Sequence, residues 1–248
     1  MCIRDREWCD RRRGIGADGL LIGTGVASRA SGHDAVTMTL FNADGSAAEM
    51  SGNGVRCFAQ AVARSRGSTP RALRIHTAAG ERLVTMTATG DRSTILASVS
   101  MGAITDITAP GQWSELGVDP LRPVLHLSLG NPHSVVAVDD VSTVDLLALG
   151  AFVPHVNLEI IEPGPEDDAI TMRVHERGAG ITEACGTGAC ASAHAAARWG
   201  LVQGHPREIT VHMAGGDAKV RLDDPAGEVT LIGPATYVAT IAVDVEGD

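Results

Sequence analysis

The chain has 248 residues, 44% of them hydrophobic, and a formal net charge of −10. No run of 18 or more uncharged apolar residues offers a transmembrane helix, and the basic residues form no stripe of the kind that tracks nucleic acid. Met1 to Arg6 is charged where a secretory signal needs an apolar stretch, and the five cysteines suggest no disulfide framework, so a cytoplasmic protein with reduced thiols is expected.

Arg11-Arg12-Arg13 is the one basic cluster and reads as a solvated face. With three Phe, three Trp and one Tyr, the core must be built from Ala, Val, Ile and Leu. Gly14-x-Gly16-x-x-Gly19 has dinucleotide-binding spacing, but it opens the apolar run Leu20-Leu21-Ile22 and not a helix, so it is set aside. Short β-branched segments bounded by Gly, Asp or Pro predict strands at Val36–Phe41, Arg82–Thr87, Ser93–Val99, Val124–Leu129, Val156–Ile161 and Glu228–Ile232. Two Ala-rich, Pro-free stretches, Asn53–Arg66 and Thr187–Trp199, predict helices.

Lys219 is the only lysine. It sits in an alternating run, Asp217–Leu222, that predicts a strand after the Gly215-Gly216 turn, a poor place for the Schiff-base lysine of a pyridoxal-phosphate enzyme. No His-x-x-x-His or Cys-x-x-Cys spacing points to a metal. No cofactor is expected.

The two predicted helices belong to a repeat. A shift of 134 positions carries Glu49 onto Glu183, Ser51 onto Cys185, Gly52 onto Gly186 and Gly54 onto Gly188. A period that long implies two similar α/β halves, each wrapping strands around one helix. The expected boundaries are 1–104 for the first half, joined by a C-terminal strand at about 236–248, and 105–235 for the second, with the active site between them.

Each repeat opens a helix with Ser/Cys-Gly-x-Gly. First-turn N–H groups lack intrahelical partners, and together with the positive dipole end they form an anion site. Two such ends facing each other would hold one carboxylate from both sides, with residues 51 and 185 aimed at the adjoining carbon. A cysteine at a helix start is expected to have a lowered pKa, which suits Cys185 for proton transfer. Ser51 is fully explained as an N-cap and is a poor base. Cys190 and Cys57 lie inside helices and read as structural; at about 100° per residue, Cys57 lies about 240° around from Ser51.

At this point the residues acquire a family. Asn42-Ala43-Asp44-Gly45-Ser46 with Ser51-Gly52-Asn53-Gly54-Val55-Arg56-Cys57 resembles the first signature of diaminopimelate epimerases, in the proline-racemase-like superfamily. Glu176-Arg177-Gly178-Ala179-Gly180 with Ala184-Cys185-Gly186-Thr187-Gly188-Ala189-Cys190 resembles the second. Gly14–Gly19, Gly130-Asn131-Pro132-His133 and His155-Val156-Asn157 resemble further family segments, in order.

The resemblance implies an α+β fold of two pseudo-symmetric halves, each a strongly curved, mostly antiparallel sheet wrapped around a central helix. It also implies inversion of LL-2,6-diaminopimelate to the meso form without pyridoxal phosphate, in lysine and peptidoglycan precursor synthesis. It makes Cys185 one of two catalytic cysteines and puts the other at Ser51. The amides at Gly52-Asn53 and Gly186-Thr187 would bind the reacting carboxylate. Asn42, Asn131, Asn157, Glu176 and Arg177 would hold the substrate's polar ends, while Glu176 and His133 would tune or orient the site. The implied partner is a small amino acid, with neither nucleic acid nor membrane, and a homodimer is left open.

Two departures stand out. Ser51 replaces a thiol, and the family's opening strand with its asparagine-bearing loop is missing ahead of residue 1. The alternatives are therefore a one-base lyase or dehydratase on a related amino acid, or a diaminopimelate-binding homologue with impaired turnover.

Overall fold

A computed structural model describes residues 2–25, 35–67, 72–203, 207–223 and 227–243. Helix α1 (Cys2–Cys9) is followed by β1 (Gly19–Thr24), β2 (Ala35–Asn42) and the short β3 (Ala47–Ala48). Helix α2 (Gly52–Ser65) then leads to β4 (Ala72–Thr77), β5 (Gly80–Ala88), β6 (Thr94–Ala103) and the short β7 (Thr105–Asp106). The second part runs β8 (Val124–Ser128), β9 (Pro132–Ala137), α3 (Leu146–Phe152), β10 (Asn157–Pro163), β11 (Ala169–Glu176) and β12 (Gly180–Thr182). Helix α4 (Gly186–Trp199), β13 (Glu208–His212), β14 (Ala218–Asp223) and β15 (Glu228–Thr236) complete it.

All the described strands join one hydrogen-bonded sheet in the order β1-β2-β4-β5-β6-β15-β14-β13-β11-β10-β9-β8-β7, with β3 on β2 and β12 on β11. Its pairings repeat. β2 pairs with β4 in parallel across α2, and β11 pairs with β13 in parallel across α4. Antiparallel β4-β5-β6 then matches antiparallel β13-β14-β15. The 134-residue shift maps β2 onto β11 and α2 onto α4 end for end. The two runs meet where β6 and β15 pair antiparallel from Thr94–Thr236 to Ala103–Glu228.

The helices form where the sequence predicts, for identifiable reasons. Ser51 caps α2, its Oγ accepting from the Gly54 N–H at 3.0 Å. The α2 face bearing Val55, Phe58, Ala59, Val62 and Ala63 is buried in the core. Helix α4 carries almost nothing larger than Ala, Ser, Thr or Cys before His194, and Gly186 to Ala193 are all buried, so the sheet encloses it closely. It stops at Gly200, whose φ of 68° is left-handed.

Three expectations need adjustment. The last strand ends at Thr236, and residues 237–243 form none, because β5 and β15 already occupy both edges of β6. Residues 244–248 of the expected strand lie outside the described residues. Helices α1 and α3 were not foreseen: Cys2–Cys9 has no apolar stripe, and Leu146–Phe152 is short, although its cap, Asp145 accepting from the Ala148 N–H, is legible in the sequence.

Candidate active site

Helices α2 and α4 meet tip to tip. A Cβ on Gly52 would stand 3.0 Å from the Gly186 Cα, and one on Gly186 would stand 2.9 Å from the Gly52 Cα. Both would also strike Leu231 on β15, at 2.7 and 2.8 Å. The first glycine of each Gly-x-Gly is therefore required by the approach of one helix end to the other. The second has its own reason: a Cβ on Gly188 would lie 2.7 Å from Glu159 Oε1.

The meeting point opens into a cavity of about 350 Å³. Its walls include Ser51, Gly52 and Asn53 from the start of α2, and Cys185, Gly186 and Thr187 from the start of α4. Asn42 and Glu176, at the matched C-terminal ends of β2 and β11, line it too, as do Asp18, Thr182 and Cys57. The strand ends thus give the cavity an amide on one side and a carboxylate on the other. Asn42 donates to Ser46 Oγ at 3.0 Å, and Glu176 accepts from the Thr182 hydroxyl.

Cys185 caps α4 as Ser51 caps α2. Its Sγ accepts from the Gly188 N–H at 3.4 Å and lies 3.5 Å from the Thr187 hydroxyl. The expected lowering of its pKa is overturned. Burial pushes the thiol well above the ordinary range, and the Glu176 and Glu159 carboxylates push it further, outweighing the Thr187 and Gly188 hydrogen bonds. With only 5% of the residue exposed, a lone thiolate forfeits more hydration than the helix end returns.

The remaining predicted residues stand around this cavity and not on its wall. Fully buried His133 has Nδ1 2.6 Å from Glu159 Oε1 and Nε2 3.1 Å from Asn131 Oδ1. Asn131 in turn donates to Thr187 Oγ1 at 3.2 Å. Asn157 is buried, donating to the Pro132 carbonyl at 3.1 Å and accepting from the Arg177 N–H at 2.9 Å. Arg177 is exposed and paired with Glu49 at 2.9 Å. Asn53 links the helix starts: it donates to the Ala184 carbonyl at 3.4 Å, and its Oδ1 accepts from buried Arg56 at 3.0 Å.

Two residues escaped the sequence reading. Glu159 lies between Leu158 and Ile160 in a strand, and a carboxylate flanked on both sides by apolar residues was the available signal. Cys57 is exposed on the cavity wall, so the structural reading given to it is corrected; the cavity extends along α2 beyond its first turn. Cys190 is buried with its thiol pushed up to about 12, as a structural cysteine should be. Lys219 is exposed on β14, away from the cavity lining.

The sequence profile of the diaminopimelate epimerase family matches residues 4–106 and 126–238. A protein of Thermosynechococcus vestitus named diaminopimelate epimerase is 38% identical, the match covering 93% of this chain and 86% of that one. One of the same name from Halothermothrix orenii is 37% identical, covering 95% and 86%. Among solved structures, a hydroxyproline epimerase from Agrobacterium vitis aligns with a TM-score of 0.64 at 14% identity, over 94% of this chain and 78% of that one. A Bacillus anthracis protein of the PhzF family aligns with a TM-score of 0.63 at 15% identity, over 90% and 84%. These two distant neighbours share the α+β fold. With the profile spanning both repeats and relatives more than a third identical along nine-tenths of the sequence, the chain belongs to the diaminopimelate epimerase family.

Proposed function

We propose that this protein inverts an α-carbon of diaminopimelate, converting the LL form to the meso form within the cavity between the two helix starts. The observation that carries the reading is the Gly52–Gly186 contact, which brings two capped helix ends, one with a hydroxyl and one with a thiol, to a single cavity. In the family relatives named above, the name itself states the activity.

The chemistry follows from the helix ends. First-turn amides at Gly52-Asn53 and Gly186-Thr187 take the α-carboxylate, where negative charge grows as the α-proton leaves. Losing one such preorganised donor costs about 10²–10³ in rate. No pyridoxal phosphate is needed to spread that charge, and Lys219, exposed on β14, is not placed to hold one.

The two faces are unequal. Cys185 rests as a thiol and gives a proton on its own face; once deprotonated, it takes the α-hydrogen there. The Ser51 oxygen accepts from Gly54, which leaves its O–H free to donate, but a hydroxyl is a weak base. Exchange on the Cys185 face therefore outpaces inversion, and proton removal on the Ser51 face limits the overall rate.

In D₂O the purified protein is expected to place deuterium at the α-carbon of diaminopimelate faster than it inverts that carbon. Cys185→Ala abolishes both. Exchange that survives in this variant refutes the reading.

A further inference from the structure

We propose that Glu159 is a positioning residue for Cys185, acting through the buried chain Glu159–His133–Asn131–Thr187. The inference rests on the reading that Cys185 exchanges the α-proton. Glu159 and His133 lie on neighbouring parallel strands, β10 and β9, and both side chains are completely buried. Glu159 Oε1 is 2.6 Å from His133 Nδ1 and is packed so tightly under the first turn of α4 that residue 188 must be glycine.

The direction of the chain follows from what each group can donate. Asn131 spends its N–H on Thr187 Oγ1, so its carbonyl oxygen must accept from His133 Nε2. With Nε2 holding a hydrogen, the proton between Nδ1 and Glu159 leaves the pair neutral whichever partner carries it. That suits a pair with no water contact. Thr187 already accepts from Asn131, so its own hydroxyl hydrogen points to Cys185 Sγ, 3.5 Å away. Every donor in the chain is thus oriented toward the sulfur, and the final hydrogen bond stabilises the thiolate against burial.

Glu159 fixes this polarity. Without it the buried imidazole loses its Nδ1 partner, and nothing on that side holds the ring with Nε2 toward the Asn131 oxygen; the ring can turn and the chain breaks. Among the described residues, the other charged and titratable groups around the Cys185 end of α4 include Glu176 from β11, Asp18 and Cys57 on the cavity wall, and Arg56 and Cys190 farther along the two helices.

The test is the pH profile of Cys185 alkylation by iodoacetamide, followed on its own peptide by mass spectrometry in the full chain. Thr187→Val should raise the midpoint, to about tenfold less thiolate at a given pH; Glu159→Leu and Glu159→Gln both remove the carboxylate that raises the thiol, and the Leu variant should lie above the Gln variant by that same amount. Beside Thr187→Val the Leu and Gln variants of Glu159 should coincide, because the chain is already cut. Glu159→Gln keeps the chain intact, since its amide donates to Nδ1 and keeps the hydrogen on Nε2. Glu159→Leu should also lower kcat for α-deuterium exchange while leaving KM nearly unchanged.

A Glu159→Leu midpoint equal to or below that of Glu159→Gln would make Glu159 a charge and not a positioning group, and a Leu–Gln difference that survives beside Thr187→Val would make the two residues independent; either outcome overturns the proposal. Should Glu159→Leu fail to fold, Asn131→Ala cuts the same chain at a half-buried position and must give the same upward shift. The alkylation profile needs no turnover. If Cys185→Ala retains exchange, the catalytic reading fails whatever the profiles say. If that variant is dead and the profiles do not shift, only the relay fails.

Discussion

Asn42 and Glu176 occupy the same position in the two repeats, the last residue of β2 and of β11, and both line the cavity. One presents a neutral amide, the other a carboxylate that raises the Cys185 thiol. Glu176→Gln should therefore lower the pH at which Cys185 is alkylated, because the surviving amide keeps the polarity of the site without its negative charge. An unchanged or raised midpoint would show that the Glu176 carboxylate does not set the acidity of this thiol.

The contact between Gly52 and Gly186 admits no side chain. Gly186→Ala should destabilise the fold by about 1–3 kcal/mol, as overpacking of a tight interior does, and should cost most of the activity by spreading the helix ends. Gly111 is the control: a Cβ there meets nothing within 4 Å, so Gly111→Ala should leave urea denaturation curves superimposable on the wild type. Equal stability of the two variants would contradict the proposed crowding.

Ser51 serves α2 as a cap whatever else it does. Ser51→Ala should cost about 0.5–2 kcal/mol through the lost bond to the Gly54 amide. Ser51→Cys should keep most of that stability, since Cys185 shows a sulfur holding the equivalent bond to Gly188, and it should speed inversion relative to exchange. Thermal melts and the ratio of inversion to deuterium wash-in separate the two effects. A cysteine at 51 that changes neither rate would remove residue 51 from the chemistry.

At the end of β13, away from the cavity lining, His212 is clasped between Glu166 and Asp217 at 2.9 and 2.8 Å. The hydrogen bond to Glu166 is the main cause of a raised pKa, assisted by Asp217 and opposed by partial burial. A group whose folded pKa exceeds its unfolded one stabilises fully below about pH 6.5, the unfolded value, and that contribution fades as pH rises through the folded pKa. The melting temperature should fall across this window in the wild type and less so in His212→Asn. Parallel slopes in the two proteins would dismiss the clasp as a contributor.

Much of this arrangement was readable in the primary sequence because it depends on local rules. Ser51 and Cys185 followed by Gly-x-Gly marked both helix starts, and the spacing between them announced the duplication. The rest depends on contacts between distant segments. Neither the abutment of Gly52 on Gly186 nor the seat of Leu231 beneath both could be inferred from neighbours in the chain. Glu159 passed as one more strand residue because its partner, His133, is 26 positions earlier in the sequence. Cys185 was misjudged for the same reason: the helix end is local and visible, while the burial and the two carboxylates that dominate its acidity come from other strands.

The duplication also makes handedness addressable. Since positions 51 and 185 begin equivalent helices at one shared cavity, exchanging their side chains in the double variant Ser51→Cys/Cys185→Ser would move the sulfur to the opposite wall without altering composition. The stereoisomer that loses its label fastest should then switch to its mirror partner at the reacting carbon. Which enantiomeric face is served would thus be recorded in the choice of repeat that carries the thiol.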